Sequence, residues 1–212
     1  MTIPARILKL GVLISGGGRT LQNLLDCASA GTLLATVEIV ISSRRSAAGI
    51  ARAERAGIPV EVIPPHALGR EEFYDKISKT LDQADIDLVC MCGYVRFWRI
   101  PDRYSGRVMN IHPALLPKFG GKGFYGQTVH RGVLEAGDKT SGCTVHFVDN
   151  EYDHGPIILQ RSVDVSADDS VESLAERVFQ QEKIAYPDAI RLYAEDRLRV
   201  EQGRVKIDPC PA

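Results

Sequence analysis

ILKLGVLISGGGRTLQNLL, residues 7–25, decides how the rest of the chain is read. Ile7 to Ile14 is an apolar run interrupted only by Lys9 and Gly11, long enough for a buried strand and far too short to span a bilayer. Ser15-Gly16-Gly17-Gly18 breaks the run. Leu21, Leu24 and Leu25 then recur at helical spacing as far as Ala28, with Gly31 as a stop. A strand, a glycine turn and a helix in that order open a βαβ unit.

The alternation continues outward. A strand is expected over Val37 to Ile41, a helix over about Ala47 to Ala56 closed by Gly57, and a strand over Pro59 to Ile63. Arg70 to Leu81 reads as a helix, and Ile86 to Met91 as a fully buried strand because its apolar residues barely alternate. The expected fold is α/β: an open, mostly parallel twisted sheet with helices on both faces, in a Rossmann-like arrangement. Beyond Gly93 the texture changes. Arg107 to Ile111 is a short strand that enters the proline-bounded Ala114-Leu115-Leu116-Pro117, followed by a glycine-rich loop from Gly120 to Gly126. Two more strands are expected at Cys143 to Val148 and Pro156 to Val165. A long helix should follow from Val171 to Ala194, kinked or interrupted at Pro187. Residues 197–207 read as a small hairpin turning at Gly203. Without a repeat or a linker, residues 1–212 read as one domain.

Composition narrows the function classes. The 26 basic and 27 acidic residues leave a formal charge of −1, so the basic footprint of a nucleic-acid binder is missing. No apolar run is long enough for a membrane span or a signal core, so the expected setting is the cytoplasm and the expected partners are small molecules, not nucleic acid or membrane. Cys27, Cys90, Cys92, Cys143 and Cys210 are an odd, scattered set without zinc or disulfide spacing, so reduced thiols and no metal are expected. Cys90 and Cys92 read as small buried hydrophobes.

Three features carry chemistry. Gly16-Gly17-Gly18-Arg19-Thr20 lies where a strand feeds a helix, so its amides can meet an anion, although a plain tight turn fits the same residues. It is neither a full dinucleotide fingerprint nor a P-loop. Asn110 and His112 stand at i and i+2 of a strand, so they share a face, and Pro113 leaves both at its carboxyl end. An amide donor beside an imidazole suits a carbonyl carbon passing through a tetrahedral anion. Asp153, in the turn after the strand Thr144-Val145-His146-Phe147-Val148, is the carboxylate that would favour the imidazolium form of His112. Read singly, His112 is equally a satisfied core histidine and Asp153 a turn former ahead of Gly155-Pro156.

Taken together these residues resemble the folate-dependent formyltransferases over nearly the whole chain. Ile14-Ser15-Gly16-Gly17-Gly18 resembles that family's substrate-phosphate loop, and Asn110-Ile111-His112-Pro113-Ala114-Leu115-Leu116-Pro117 its catalytic signature. Gly142 to Val148, Asp153 and Gly155-Pro156-Ile157-Ile158-Leu159-Gln160 follow in the family's order. The resemblance implies formyl transfer from 10-formyltetrahydrofolate, as co-substrate, to the amine of glycinamide ribonucleotide, with Asn110, His112 and Asp153 catalytic and no metal. It implies that Gly16 to Thr20 and Pro113 meet the substrate and that Glu182 lies near its ribose. It also implies folate contacts at Arg70, Val95, Arg96, Phe97, Trp98, Asn110 and the turn Asn150-Glu151-Tyr152-Asp153, while Phe97 and Trp98 fit core packing equally well. Two departures stand out: Arg19-Thr20 replaces the usual Ser-Asn of the phosphate loop, and the Gly120 to Gly126 loop is longer than in many relatives.

Rival readings differ in what they require. Methionyl-tRNA formyltransferase and formyltetrahydrofolate hydrolase need extra domains for which 212 residues leave no expected room. An amino-sugar nucleotide acceptor keeps the same catalytic trio. A nicotinamide oxidoreductase should end its second strand on an acidic residue, where this chain has Ser42-Ser43-Arg44-Arg45. A non-catalytic nucleotide-binding protein would not need Asn110, His112 and Asp153 together.

Overall fold

A computed structural model describes residues 7–209, and the chain divides into two compact units, one ending at Met109 and one beginning at Asn110. The first unit runs β1 (Leu8–Ile14), α1 (Arg19–Ser29), β2 (Ala35–Ser42), α2 (Gly49–Arg55), β3 (Val60–Val62), α3 (Arg70–Gln83) and β4 (Leu88–Met91). Its strands are parallel in the order β3-β2-β1-β4, so β1 lies inside the sheet and β4 is reached by a crossover. Burial of β1 and β4 on both sides explains why their sequences run apolar instead of alternating.

Two contacts show helices on opposite faces of β1. A Cβ on Gly11 would lie 2.6 Å from Leu81 of α3, whereas Ile14, three residues on and pointing the other way, meets Gly49 of α2. The α/β class and the doubly covered, mostly parallel sheet read from the sequence are those of the structure.

β5 (Val108–His112) crosses the boundary between the units. The second unit continues with α4 (Gln127–Glu135), β6 (Thr140–Phe147), β7 (Ile157–Asp164), α5 (Val171–Ala194), β8 (Leu198–Glu201) and β9 (Arg204–Ile207). Here the order is β5-β6-β7, with β6 and β7 antiparallel, and β8 and β9 form a separate hairpin. α5 packs on β6 and β7. It starts in a reciprocal cap, the Ser170 hydroxyl accepting from the Ser173 amide while the Ser170 amide donates to Ser173 Oγ.

Two expectations change. α5 runs without a break through Pro187, which is buried with Ala185, Tyr186, Ala189 and Ile190; tertiary packing there outweighs the one backbone donor that proline removes. α4 was not anticipated after the glycine-rich loop, because Gly132 and β-branched Thr128, Val129 and Val133 give it weak intrinsic preference. Its apolar face, Val129 and Val133, forms it by burial. Cys90, Cys92 and Cys143 are buried thiols and Cys27 is half-buried, while Cys210 lies outside the described residues. Among the described residues no helix is long and apolar enough to cross a membrane.

Candidate active site

Strand periodicity brings Asn110 and His112 to the same side of the end of β5, where both meet Asp153 in the turn between β6 and β7. Asp153 Oδ1 accepts from Asn110 Nδ2 at 3.4 Å, and its Oδ2 lies 3.5 Å from His112 Nδ1 while accepting the Gly121 amide at 2.9 Å. The carboxylate is only 13% exposed and the His112 side chain 4%. Asp153 adopts φ 52°, the left-handed region that aspartate tolerates better than most side chains, so the backbone itself turns the carboxylate toward β5. The other ring nitrogen of His112, Nε2, is 2.8 Å from the carbonyl of Phe119, which can only accept, so Nε2 carries a proton. His112 therefore stands between two acceptors.

A fourth polar side chain, His146 of β6, completes the group, and the sequence reading treated it only as part of a strand. Burial pushes its imidazole below the ordinary value, against the opposing pull of the Phe147 carbonyl and Asp153, so the ring is neutral. Nδ1–H donates to the Phe147 carbonyl at 2.8 Å, which leaves Nε2 as an acceptor for Asn110 Nδ2 at 3.2 Å. Since His146 Nε2 and Asp153 Oδ1 are both acceptors, the Asn110 amide is oriented with its nitrogen toward them. The signal available in sequence was the strand period, which puts Thr144 and His146 on one face of β6 directly ahead of the acidic turn.

Thr144 holds the segment after His112. Its hydroxyl donates to the Ala114 carbonyl at 2.6 Å and accepts from the Leu116 amide at 3.0 Å and from Gln160 Nε2 at 2.9 Å. Gln160 also donates to the Leu116 carbonyl at 3.0 Å. One donor and two lone pairs are thus all satisfied in a buried position, which fixes the chain from Pro113 to Pro117. Glu182 sits half-buried on α5, near enough for its charge to be felt at Cys143, whose thiol is pushed up to about 12 mainly by burial. In the turn Asn150-Glu151-Tyr152, the Glu151 amide donates to Asp149 Oδ1 at 2.8 Å, and Tyr152 is exposed.

The remaining sequence candidates belong to the first unit. Gly16 and Gly17 are exposed between β1 and α1, Gly18 is buried, Arg19 is exposed and Thr20 is half-buried. Ser15 links this loop to the 95–98 strip: its hydroxyl accepts the Val95 amide at 3.0 Å and shares a 2.7 Å bond with Ser43 Oγ. Val95, Arg96 and Phe97 are half-buried, and Phe97 packs edge-on against Tyr74. The Trp98 ring is core, 2% exposed, with Nε1–H donating to Ser78 Oγ at 3.2 Å and an edge-to-face contact with Tyr104, so a ligand has only its backbone to use. Arg70 is exposed at the start of α3. Among the described residues no group of three or more His, Cys, Asp or Glu side chains is arranged to hold a metal ion.

The profile of the formyl transferase family matches residues 8–190. The chain is 36% identical over 203 residues to phosphoribosylglycinamide formyltransferase of Haemophilus influenzae, covering 94% of this chain and 93% of that protein. It is 40% identical over 201 residues to the trifunctional purine biosynthetic protein adenosine-3 of Gallus gallus, covering 93% of this chain but only 20% of that one. It thus spans about a fifth of the length of such trifunctional relatives. Among solved structures, glycinamide ribonucleotide transformylase 1 from Symbiobacterium toebii superposes with a TM-score of 0.90 at 42% identity, over 99% of this chain and 98% of that one.

Proposed function

The chain belongs to the formyl transferase family, and on that premise we propose that it transfers the formyl group of 10-formyltetrahydrofolate to the amine of glycinamide ribonucleotide, a step of purine biosynthesis, in the cytoplasm. The observation that carries the reading is the half-buried Asp153 carboxylate bridging Asn110 and His112 at the end of β5. The relatives named as acting on this acceptor favour it over an amino-sugar nucleotide.

In the proposed reaction the amine nitrogen attacks the formyl carbon and the carbonyl electron pair moves onto oxygen. The resulting oxyanion accepts from Asn110 Nδ2–H and from His112 Nε2–H, where it takes the place of the Phe119 carbonyl as acceptor. Asn110 exchanges its 3.4 Å bond to Asp153, the longer of its two, for the oxyanion. Asp153 holds the second proton of the imidazolium at Nδ1 and, through water, relays the proton that the attacking amine sheds. The C–N10 bond then breaks, the oxyanion pair reforms the carbonyl, and the folate nitrogen leaves carrying a proton. No step requires a metal.

We assign the substrate phosphate to Gly16, Gly17, Gly18, Arg19 and Thr20, the ribose to Glu182 and the reacting amine to the neighbourhood of Pro113. The folate is assigned to Arg70, to the backbone of Val95, Arg96, Phe97 and Trp98, and to Asn150, Glu151, Tyr152 and Asp153. Residues 1–212 then act as a single formyltransferase domain. Asp153→Asn and His112→Ala should each lower kcat by at least ~10²-fold with the fold intact, because electrostatic and general-acid contributions are commonly that large. Folded variants with near-normal turnover would remove the mechanism.

A further inference from the structure

The three carbonyls of the glycine loop in the first unit are all engaged by protein donors. The Gly49 amide donates to Gly16 O at 3.0 Å, Arg52 Nε–H donates to Gly17 O at 2.9 Å, and the Gln22 amide donates to Gly18 O at 2.9 Å. Loop and helix α2 meet backbone to backbone. Gly18 lies at φ 70°, and a Cβ there would come within 2.6 Å of Gly49 Cα; a Cβ on Gly49 would come within 2.8 Å of Ile14 Cδ1 and 3.2 Å of Gly16 O. Two glycines permit an approach that any side chain would block. Carbonyls turned successively into the protein turn the intervening amides the other way, which is how a backbone anion nest is made.

Of these three tethers only Arg52 is a side chain. Its second arm, Nη1, donates to Gln22 Oε1 at 3.1 Å, and Gln22 Nε2 in turn donates to Asp26 Oδ1 at 2.9 Å. The guanidinium fork therefore spans the glycine loop and the first two turns of α1: the bond to Gln22 fixes the plane of the guanidinium, and from that fixed plane the single Nε–H donor holds the Gly17 carbonyl. Arg52 is half-buried, and the Nε proton that would otherwise be available to a ligand is committed to the Gly17 carbonyl.

We infer that Arg52 is the positioning residue of the phosphate loop: its fork pins the Gly17 carbonyl so that the loop amides are presented to the phosphate of the acceptor substrate. The role rests on the phosphate assignment proposed above. Arg52 acts through the loop, not as a phosphate ligand, and this separates it from Arg19, whose proposed contribution is direct.

The test compares wild type, Arg52→Met, which keeps the aliphatic stem and loses the fork, and Arg52→Lys, which keeps the charge and loses the fork. With glycinamide ribonucleotide and 10-formyltetrahydrofolate, Arg52→Met should raise the KM for the ribonucleotide about tenfold, the size of one charge-assisted hydrogen bond lost. Its kcat should stay within about twofold and the KM for the folate should not move, since the contact serves ground and transition states alike. Arg52→Lys should recover less than half of that loss. An unchanged KM in Arg52→Met, or a Lys variant that matches wild type, overturns the positioning role while formyl transfer stands. In parallel, inorganic phosphate is titrated against the Gly17 and Gly18 amide resonances, which needs no turnover. Saturable shifts in wild type that weaken several-fold in Arg52→Met support the role even if the acceptor proves to be another phosphorylated amine. Equal affinities in the two proteins overturn it.

Discussion

A neutral imidazole is the only form of His146 that satisfies both of its partners, since Phe147 O takes the Nδ1 proton and Asn110 Nδ2 needs a lone pair at Nε2. Burial supplies that form by lowering the tendency of the ring to charge. His146→Phe keeps the ring volume and removes the acceptor, so the Asn110 amide loses one of the two bonds that orient it. We expect kcat to fall by roughly ten- to a hundredfold, on the scale of losing an oxyanion donor, with little change in KM for either substrate. Unaltered kcat in a folded His146→Phe would show that Asp153 alone orients Asn110. His130 of α4 is a third buried histidine, held down to about 4 by burial and then by the charge of His112. The unfolded chain takes up that proton near pH 6.5, so the stability tied to neutral His130 is complete above pH 6.5 and is lost as pH falls from there to about 4. Chemical denaturation between pH 7 and 4.5 should lose on the order of 2 kcal/mol less in His130→Gln than in wild type; parallel curves would contradict the assignment. The pairing of Asn110 with His112 was legible because a strand has a period of two. The part played by His146 was not, because it depends on an amide in another strand and on a degree of burial that local sequence does not encode.

At the scale of elements, the Thr144 network fixes the end of β5. Thr144→Val is nearly isosteric but strands the buried Leu116 amide, the Ala114 carbonyl and one bond of Gln160. It should cost about 2 kcal/mol of stability and lower kcat, because the chain just after His112 loses its anchor. Equilibrium denaturation showing a loss below about 0.5 kcal/mol would mean that water or repacking replaces the hydroxyl. At the start of α5, the Arg177 guanidinium holds the Asp169 carboxyl well below the usual carboxylate range, helped by Ser173 and the Ser166 amide. Because the folded value is depressed, this contribution is present above about pH 4 and lost as pH falls below it. Asp169→Asn should therefore be less stable than wild type at pH 7, with the gap narrowing steadily as pH falls from about 4 to about 2, whereas a constant gap across that range would contradict the linkage. β1, α1, α3 and β4 were readable because their apolar spacing is what the sheet and its helices bury. α4 was hidden by Gly132 and its β-branched residues, and the unbroken α5 by Pro187, two cases in which packing outweighs local preference.

On the scale of the whole molecule, βαβ alternation was sufficient for the α/β class. The order of motifs from Ser15 to Gln160 was sufficient for the family, which the matching profile over residues 8–190 shows. The acceptor is a different matter, because the proposed trio of Asn110, His112 and Asp153 would serve a formyl carbon whatever amine attacks it, and the fold says little about the body to which that amine is attached. Discrimination must come from the groups proposed to hold the phosphate and ribose, above all Arg19, where the loop departs from the pattern of the formyltransferases it resembles. If Arg19 meets the phosphate, Arg19→Ser should raise the KM for the phosphorylated substrate with a smaller effect on kcat and flatten its salt dependence. Equal kinetics at low and high salt in both proteins would remove that contact. The most direct measurement is turnover of the purified protein with 10-formyltetrahydrofolate against glycinamide ribonucleotide and a panel of amino-sugar nucleotides, following the folate product. We expect kcat/KM for glycinamide ribonucleotide to exceed that for every other acceptor by at least ~10²-fold, the discrimination available to a site built around a phosphate and a ribose. Comparable or faster transfer to an amino-sugar nucleotide, or folate turnover that does not depend on any amine, would contradict the account.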